Sequence, residues 1–136
     1  MIDKKIIVTG GAGFIGSNLI SKLNSLGKNN IIVVDDLSDG KKISNLSNLD
    51  IYDFISVRDF YEHINLETFK QNEIEVIFHQ GACSSTTEWN GDIVMTLNYD
   101  YSKKLLELAN VLNSQFIYAS SASVYGINDN DFSEDF

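Results

Sequence analysis

Apolar positions along the chain follow two patterns. Lys5 to Thr9, Ile31 to Asp35, Glu75 to His79 and Gln115 to Ser120 are near-continuous apolar runs rich in β-branched and aromatic residues. Strands buried on both faces of a parallel sheet read this way. A weaker run, Ile51 to Val57, predicts a fifth strand. Between the first two runs, Ile15, Leu19, Ile20, Leu23 and Leu26 recur at helical spacing until Gly27. That periodicity predicts an amphipathic helix closed by a glycine in the left-handed conformation. Ile93, Val94, Leu97, Tyr101, Leu105, Leu108 and Leu112 keep the helical period long enough for a crossover between parallel strands. Asp59 to Lys70 predicts a further helix.

Strand and helix alternate along the chain, so the predicted fold class is α/β: a doubly wound parallel sheet of Rossmann type, with right-handed crossovers. The expected strand order is 3-2-1-4-5, with the fifth strand left as an uncovered apolar edge. A length of 136 residues fits one domain. Residues 1–136 are read as the N-terminal part of a dinucleotide-binding domain whose later strands and substrate domain lie beyond it.

Composition narrows the function. A net charge of -9 repels nucleic-acid phosphates and anionic lipid alike, so neither is an expected partner. The first apolar run is far shorter than the ~18 residues of a spanning helix and is followed by no cleavage signal, which makes the expected compartment the cytoplasm. A single cysteine, Cys83, forms no internal disulfide, and His63 and His79 lack metal-ligand spacing. No metal site is expected.

The chemistry begins where the first strand ends. Thr9-Gly10-Gly11-Ala12-Gly13-Phe14-Ile15-Gly16 holds the spacing Gly10-x-x-Gly13-x-x-Gly16. Glycines are needed there because side chains would keep backbone from a pyrophosphate and helix from strand. The following helix would point its free N–H groups and positive dipole end at the anion. Asp35 closes the second strand about 20 residues further on, where a carboxylate meets the adenosine ribose hydroxyls. Lys41 and Lys42 would neutralise a 2′-phosphate whereas Asp36 would repel one, and the residues alone leave NAD and NADP both open.

In open parallel sheets ligands lie beyond the carboxyl ends of the strands. After the fourth strand come Gln80, Gly81, Ala82, Cys83 and Ser84, small enough to let a cofactor pass. Cys83 has no adjacent base in sequence and is read as a packing thiol, while Trp89 fits either a core or a lid. After the fifth strand, Ser120, Ser121 and Ser123 place hydroxyls at the same edge. No G-x-S-x-G elbow surrounds them, so hydrolase chemistry is not expected.

These residues resemble the extended short-chain dehydrogenase/reductase family, the NAD-dependent epimerases and dehydratases, in the turn Thr9 to Gly16 and in Ser120-Ser121-Ala-Ser-Val-Tyr125-Gly126. Within it, the string from Phe78 to Trp89 followed by Asn98-Tyr-Asp-Tyr-Ser-Lys103 resembles the branch acting on an ADP-linked heptose. The resemblance implies a bound NADP, or NAD, that takes a hydride from C6 of the sugar and returns it to the opposite face. It implies a nucleotide-sugar substrate, ADP-heptose, a role in making lipopolysaccharide core heptose, and a homo-oligomeric enzyme.

Carried over by position, Gly10, Gly13, Phe14, Ile15 and Gly16 hold the pyrophosphate. Asp35, Asp36 and Lys42 flank the ribose, Gln80, Gly81, Ala82, Cys83, Ser84 and Asn98 contact the cofactor, and Ser121 is the catalytic hydroxyl. Val57 stands where the family suggests a lysine, with Arg58 beside it as a substitute cation. The family's Tyr-x-x-x-Lys pair follows the serine strand. Tyr99 and Lys103 match its spacing but precede Ser121, and are read as surface or core packing. The 136-residue chain is therefore expected to be catalytically inactive. Another nucleotide-sugar epimerase or dehydratase, or a non-catalytic dinucleotide-binding module, are the other readings.

Overall fold

In the computed structural model, which describes residues 4–63, 68–85 and 87–126, five parallel strands form one sheet. Strands β1 (Lys5–Thr9), β2 (Ile31–Asp35), β3 (Asp53–Ser56), β4 (Ile74–His79) and β5 (Gln115–Tyr118) lie in the order β3-β2-β1-β4-β5, the order expected from the sequence. Every residue of β2 is buried and β1 is buried from Ile6 onward. Of the four near-continuous apolar runs, those of β1 and β2 are covered on both faces as expected, β4 is buried except at Glu75 and Phe78, and β5, at the edge of the described sheet, is largely exposed instead.

Helix α1 (Phe14–Ser25) covers one face, where Ile20 packs with Ile6, Val8, Ile31, Val33 and Val76. The other face is covered by α2 (Val57–His63) and α4 (Tyr101–Leu112), whose Phe60, Tyr101, Leu105, Leu108 and Leu112 pack on Ile7, Ile32 and Ile77. Helix α1 ends as predicted. Gly27 has φ +78°, with Lys28 N–H donating to Leu23 O and Gly27 N–H to Asn24 O, the paired bonds that satisfy the last carbonyls of a helix.

Several expected boundaries move. Strand β4 begins one residue early, at Ile74, and β5 ends at Tyr118 because its ladder with β4 closes at His79–Tyr118. Strand β3 covers only Asp53–Ser56, and α2 starts at Val57 rather than Asp59. Helix α2 closes at His63, residues 64–67 lie outside the described residues, and Thr68 to Lys70 are not helical.

The crossover helix is not uniform. A short α3 (Gly91–Val94) and α4 flank a π-helical turn, Met95–Asp100. Such a turn accommodates one extra residue and is frequent at functional sites. Hydrophobic spacing runs through it unbroken, so periodicity alone conceals it. Among the described residues β5 pairs only with β4, and its Ile117 and Tyr118 are exposed. No described helix is long and apolar enough to cross a membrane.

The phenol of Tyr101 is 1% exposed, and its hydroxyl has no hydrogen-bond partner among the described residues. Burial, and secondarily the charge of Asp35, pushes its pKa well above the usual phenol range. The ring is worth keeping, since it packs edge-on against both Tyr61 and His79. Tyr101→Phe keeps the ring and removes an unpaired polar group, so it is expected to be neutral or to stabilise by about 1 kcal/mol in urea unfolding. A loss larger than that would mean the hydroxyl has a partner.

Candidate functional site

The glycine turn is built by close approach. Gly10 has φ +67°, and a Cβ there would sit 2.7 Å from Gly81 N. A Cβ on Gly16 would lie 2.2 Å from Gly10 O, inside the contact between turn and helix. Helix α1 begins at Phe14 with no side-chain cap and no acidic residue in its first turn. The N–H groups of Phe14, Ile15 and Gly16 therefore have no intrahelical acceptor, and Phe14 and Ile15 are exposed. A glycine-lined turn against an uncapped, uncharged helix start fits a pyrophosphate.

Asp35 is 6% exposed and holds this turn from the end of β2. Its Oδ2 accepts from Ala12 N–H at 2.8 Å, and its Oδ1 from Asp36 N–H at 2.7 Å and the Lys42 ammonium at 2.9 Å. Asn45 completes the bracket by donating to Ala12 O at 2.8 Å. A carboxylate has about four acceptor positions, which leaves one for a ribose hydroxyl. Asp36 caps the following turn by accepting from Ser38 N–H and Oγ, bonds that hold its carboxyl below the usual range and keep it charged. Lys42 stands within this acidic pair, whereas Lys41 is exposed. Arg58 is exposed too, its nearest carboxylate among the described residues being Asp59 at 3.9 Å, and Val57 packs on the core.

Beyond the carboxyl ends of β4 and β5 lies a cleft of about 760 Å³. Its walls are His79 to Ser84, then Asn98, Tyr99, Ser102, Lys103 and Leu106 from the crossover helix, then Phe116 and Tyr118 to Ser121. Glycine turn and cleft meet where the Gly10 and Gly81 backbones touch. Asn98, in the π turn, accepts from Cys83 N–H at 2.7 Å and donates to Cys83 O at 3.1 Å. Its amide thus shapes the loop that lines the cleft.

Ser121 caps a short 3₁₀ turn, Ala122–Tyr125, by accepting from Ser123 N–H at 3.2 Å. Its oxygen is fixed, and its own proton has no acceptor among the described residues. Tyr99 and Lys103, expected from the sequence to be surface or core packing, are exposed and stand on the cleft wall, and neither bonds to Ser121. Trp89 is 94% exposed, outside the core.

His79 makes no hydrogen bond to Cys83. Its Nδ1 is 2.6 Å from Thr9 Oγ1 and its Nε2 is 2.8 Å from Ser102 Oγ. Burial holds its pKa below the ordinary 6.5, so the folded ring stays neutral. The native state then binds fewer protons than the unfolded chain, and stability is lost as pH falls below 6.5 toward the folded value. The urea midpoint should drop between about pH 7.5 and about pH 5.5, and His79→Phe should flatten that drop. The sequence alone gives no role to Thr9, Asn45 or Ser102. Thr9 alone had a signal, as the polar residue closing a buried strand just before the turn.

The profile of the NAD dependent epimerase/dehydratase family matches residues 6–136. A UDP-glucuronic acid 4-epimerase from Bacillus cereus, solved with NAD, aligns with TM-score 0.77 and 29% identity over 96% of this chain and 44% of that one. The ADP-L-glycero-D-manno-heptose-6-epimerase of Helicobacter pylori aligns with TM-score 0.74 and 31% identity over 98% of this chain and 44% of that one. A UDP-N-acetylglucosamine 4-epimerase from Methanobrevibacter ruminantium gives TM-score 0.74 and 32% identity over 96% and 42%. The chain thus spans less than half the length of these solved relatives.

Proposed function

This chain belongs to the NAD dependent epimerase/dehydratase family, and on that premise we propose that it is the cofactor-binding portion of an ADP-L-glycero-D-manno-heptose 6-epimerase. The reading makes it part of a cytoplasmic, homo-oligomeric enzyme of heptose synthesis for lipopolysaccharide. The observation that carries the catalytic part is the junction at Gly10 and Gly81, which joins a pyrophosphate-shaped turn to a cleft containing Ser121. The string from Phe78 to Trp89 and the similarity to the H. pylori enzyme support the heptose substrate.

The bound nicotinamide dinucleotide supplies hydride acceptance and return. The chain supplies binding and orientation. The glycine turn and the N–H groups of Phe14, Ile15 and Gly16 receive the pyrophosphate. Asp35 offers its remaining acceptor position to the ribose, and the Gln80–Ser84 loop forms the wall along which the cofactor lies. Ser121, its oxygen held by Ser123 N–H, donates a hydrogen bond to the reacting sugar oxygen.

NADP is the proposed cofactor, with NAD as the alternative, and Lys42 is the residue that separates them. Its ammonium already pairs with Asp35, so a 2′-phosphate would share that cation. Calorimetry on the chain should register binding of NADP. Lys42→Met should weaken NADP about tenfold, the equivalent of one charge-assisted hydrogen bond, and leave NAD nearly unchanged. No heat with either dinucleotide would refute the cofactor reading.

No Tyr-x-x-x-Lys pair follows Ser121 in these residues, so a loaded chain is expected to bind cofactor without epimerising ADP-heptose when followed by proton NMR. The complete reading frame containing these residues should turn over ADP-heptose in preference to UDP-glucuronic acid, and the reverse preference would refute the substrate.

A further inference from the structure

We propose that His79 is a positioning residue for the dinucleotide, the central link of a closed circuit of hydrogen bonds that clamps the cleft loop at Gly81 and at Cys83. What the loop serves rests on the cofactor reading above, while the circuit is a property of the chain itself.

The directions of the bonds are determined by elimination. Ser102 O–H donates to Asn98 O at 2.7 Å, so Ser102 Oγ accepts from His79 and Nε2 carries the ring proton. A neutral ring then has a bare Nδ1, which accepts from Thr9 O–H. Thr9 Oγ1 in turn accepts from Gly81 N–H at 3.1 Å. At the other end, Asn98 uses its side-chain amide on both backbone groups of Cys83. A chain of bonds leaving the loop at Gly81 therefore returns to it two residues later. Each member has one consistent donor and acceptor assignment, and only one tautomer of His79 completes it.

The loop needs such a clamp. Residues 80–85 form no regular element, and all are exposed or half-buried, so apolar burial does little to fix them. The ring is also packed, edge-on to Tyr101 at 5.4 Å and stacked on Phe116 at 6.1 Å.

The test uses the chain with three variants, His79→Phe, Ser102→Ala and Thr9→Val. Long-range proton–nitrogen spectra of the wild type should show Nε2 protonated and Nδ1 bare. A proton on Nδ1 would overturn the circuit. Alkylation of Cys83 by iodoacetamide under native conditions should accelerate about tenfold in His79→Phe and in Ser102→Ala, the equivalent of losing one hydrogen bond. Amide exchange of Ile7 and Val8 in β1 should stay near the wild-type rate, and Thr9→Val combined with His79→Phe should add little to either alone. An unchanged Cys83 rate, or one that only tracks exchange in β1, would reduce His79 to a packing residue. If His79→Phe does not fold, Ser102→Ala decides the same question from the other side of the ring. Affinity for NADP and NAD should fall in the variants that open the loop, and retained affinity there would overturn the positioning role. Absence of dinucleotide binding by the wild type would defeat the proposed function, while tautomer and thiol readouts would still decide the circuit.

Discussion

Gly16→Ala is expected to destabilise the domain by about 3 kcal/mol or more. A methyl group there would lie 2.2 Å from Gly10 O and 2.7 Å from Gly11 Cα. Both neighbours are backbone, and no flexible side chain can move aside. Overpacking of ordinary cores costs roughly 1–3 kcal/mol, and a clash with backbone on the first strand's exit should reach or exceed the top of that range. At about 4 °C per kcal/mol for a domain of this size, the melting temperature should fall by at least about 10 °C, and dinucleotide binding should be lost with it. Gly40→Ala is the control, since its added methyl meets nothing within 4 Å beyond its own stretch of backbone, and it should melt with the wild type. If Gly16→Ala also melted with the wild type, the close contact of helix and turn would not be what holds the site together.

Asp35→Ala should cost roughly 3 kcal/mol in urea unfolding, because it leaves the buried Ala12 N–H without an acceptor and Lys42 without its carboxylate. The Lys42 side chain is 37% exposed, so water recovers part of the ion pair and the loss stays at the low end for a broken buried pair. Asp35→Asn keeps an oxygen for Ala12 N–H and should recover about half. Affinity for either dinucleotide should fall more steeply than stability, since the same carboxylate shapes the turn and, in the proposed function, also accepts from the ribose. A loss below about 1 kcal/mol in Asp35→Ala would mean that Asn45 and the glycines hold the turn without it.

Sequence determined the architecture of this protein because its signals are local. Runs of β-branched residues, a helical period closed by Gly27 and glycines at fixed offsets after β1 each report the environment of their own segment. Together they are enough for a five-stranded parallel sheet and its order. The edges of that reading failed where local pattern is silent. The π turn at Met95–Asp100 leaves hydrophobic spacing intact, and β5 stops at Tyr118 because its neighbour β4 ends at His79.

Only the tertiary structure decided what the polar residues do. Asp35 reads as a ribose ligand from its position, yet it also fastens Ala12 across 23 residues of chain. His79 reads as the last residue of a buried strand, yet its two nitrogens join Thr9, 70 residues before it, to Ser102, 23 residues after it. Tyr99 and Lys103 read as surface or core packing; they are exposed, and which surface they line, the wall of the cleft, is set by the fold. Hydrophobic burial is written in each residue's own periodicity, whereas a hydrogen bond needs a partner whose approach depends on how separate strands and helices are brought together.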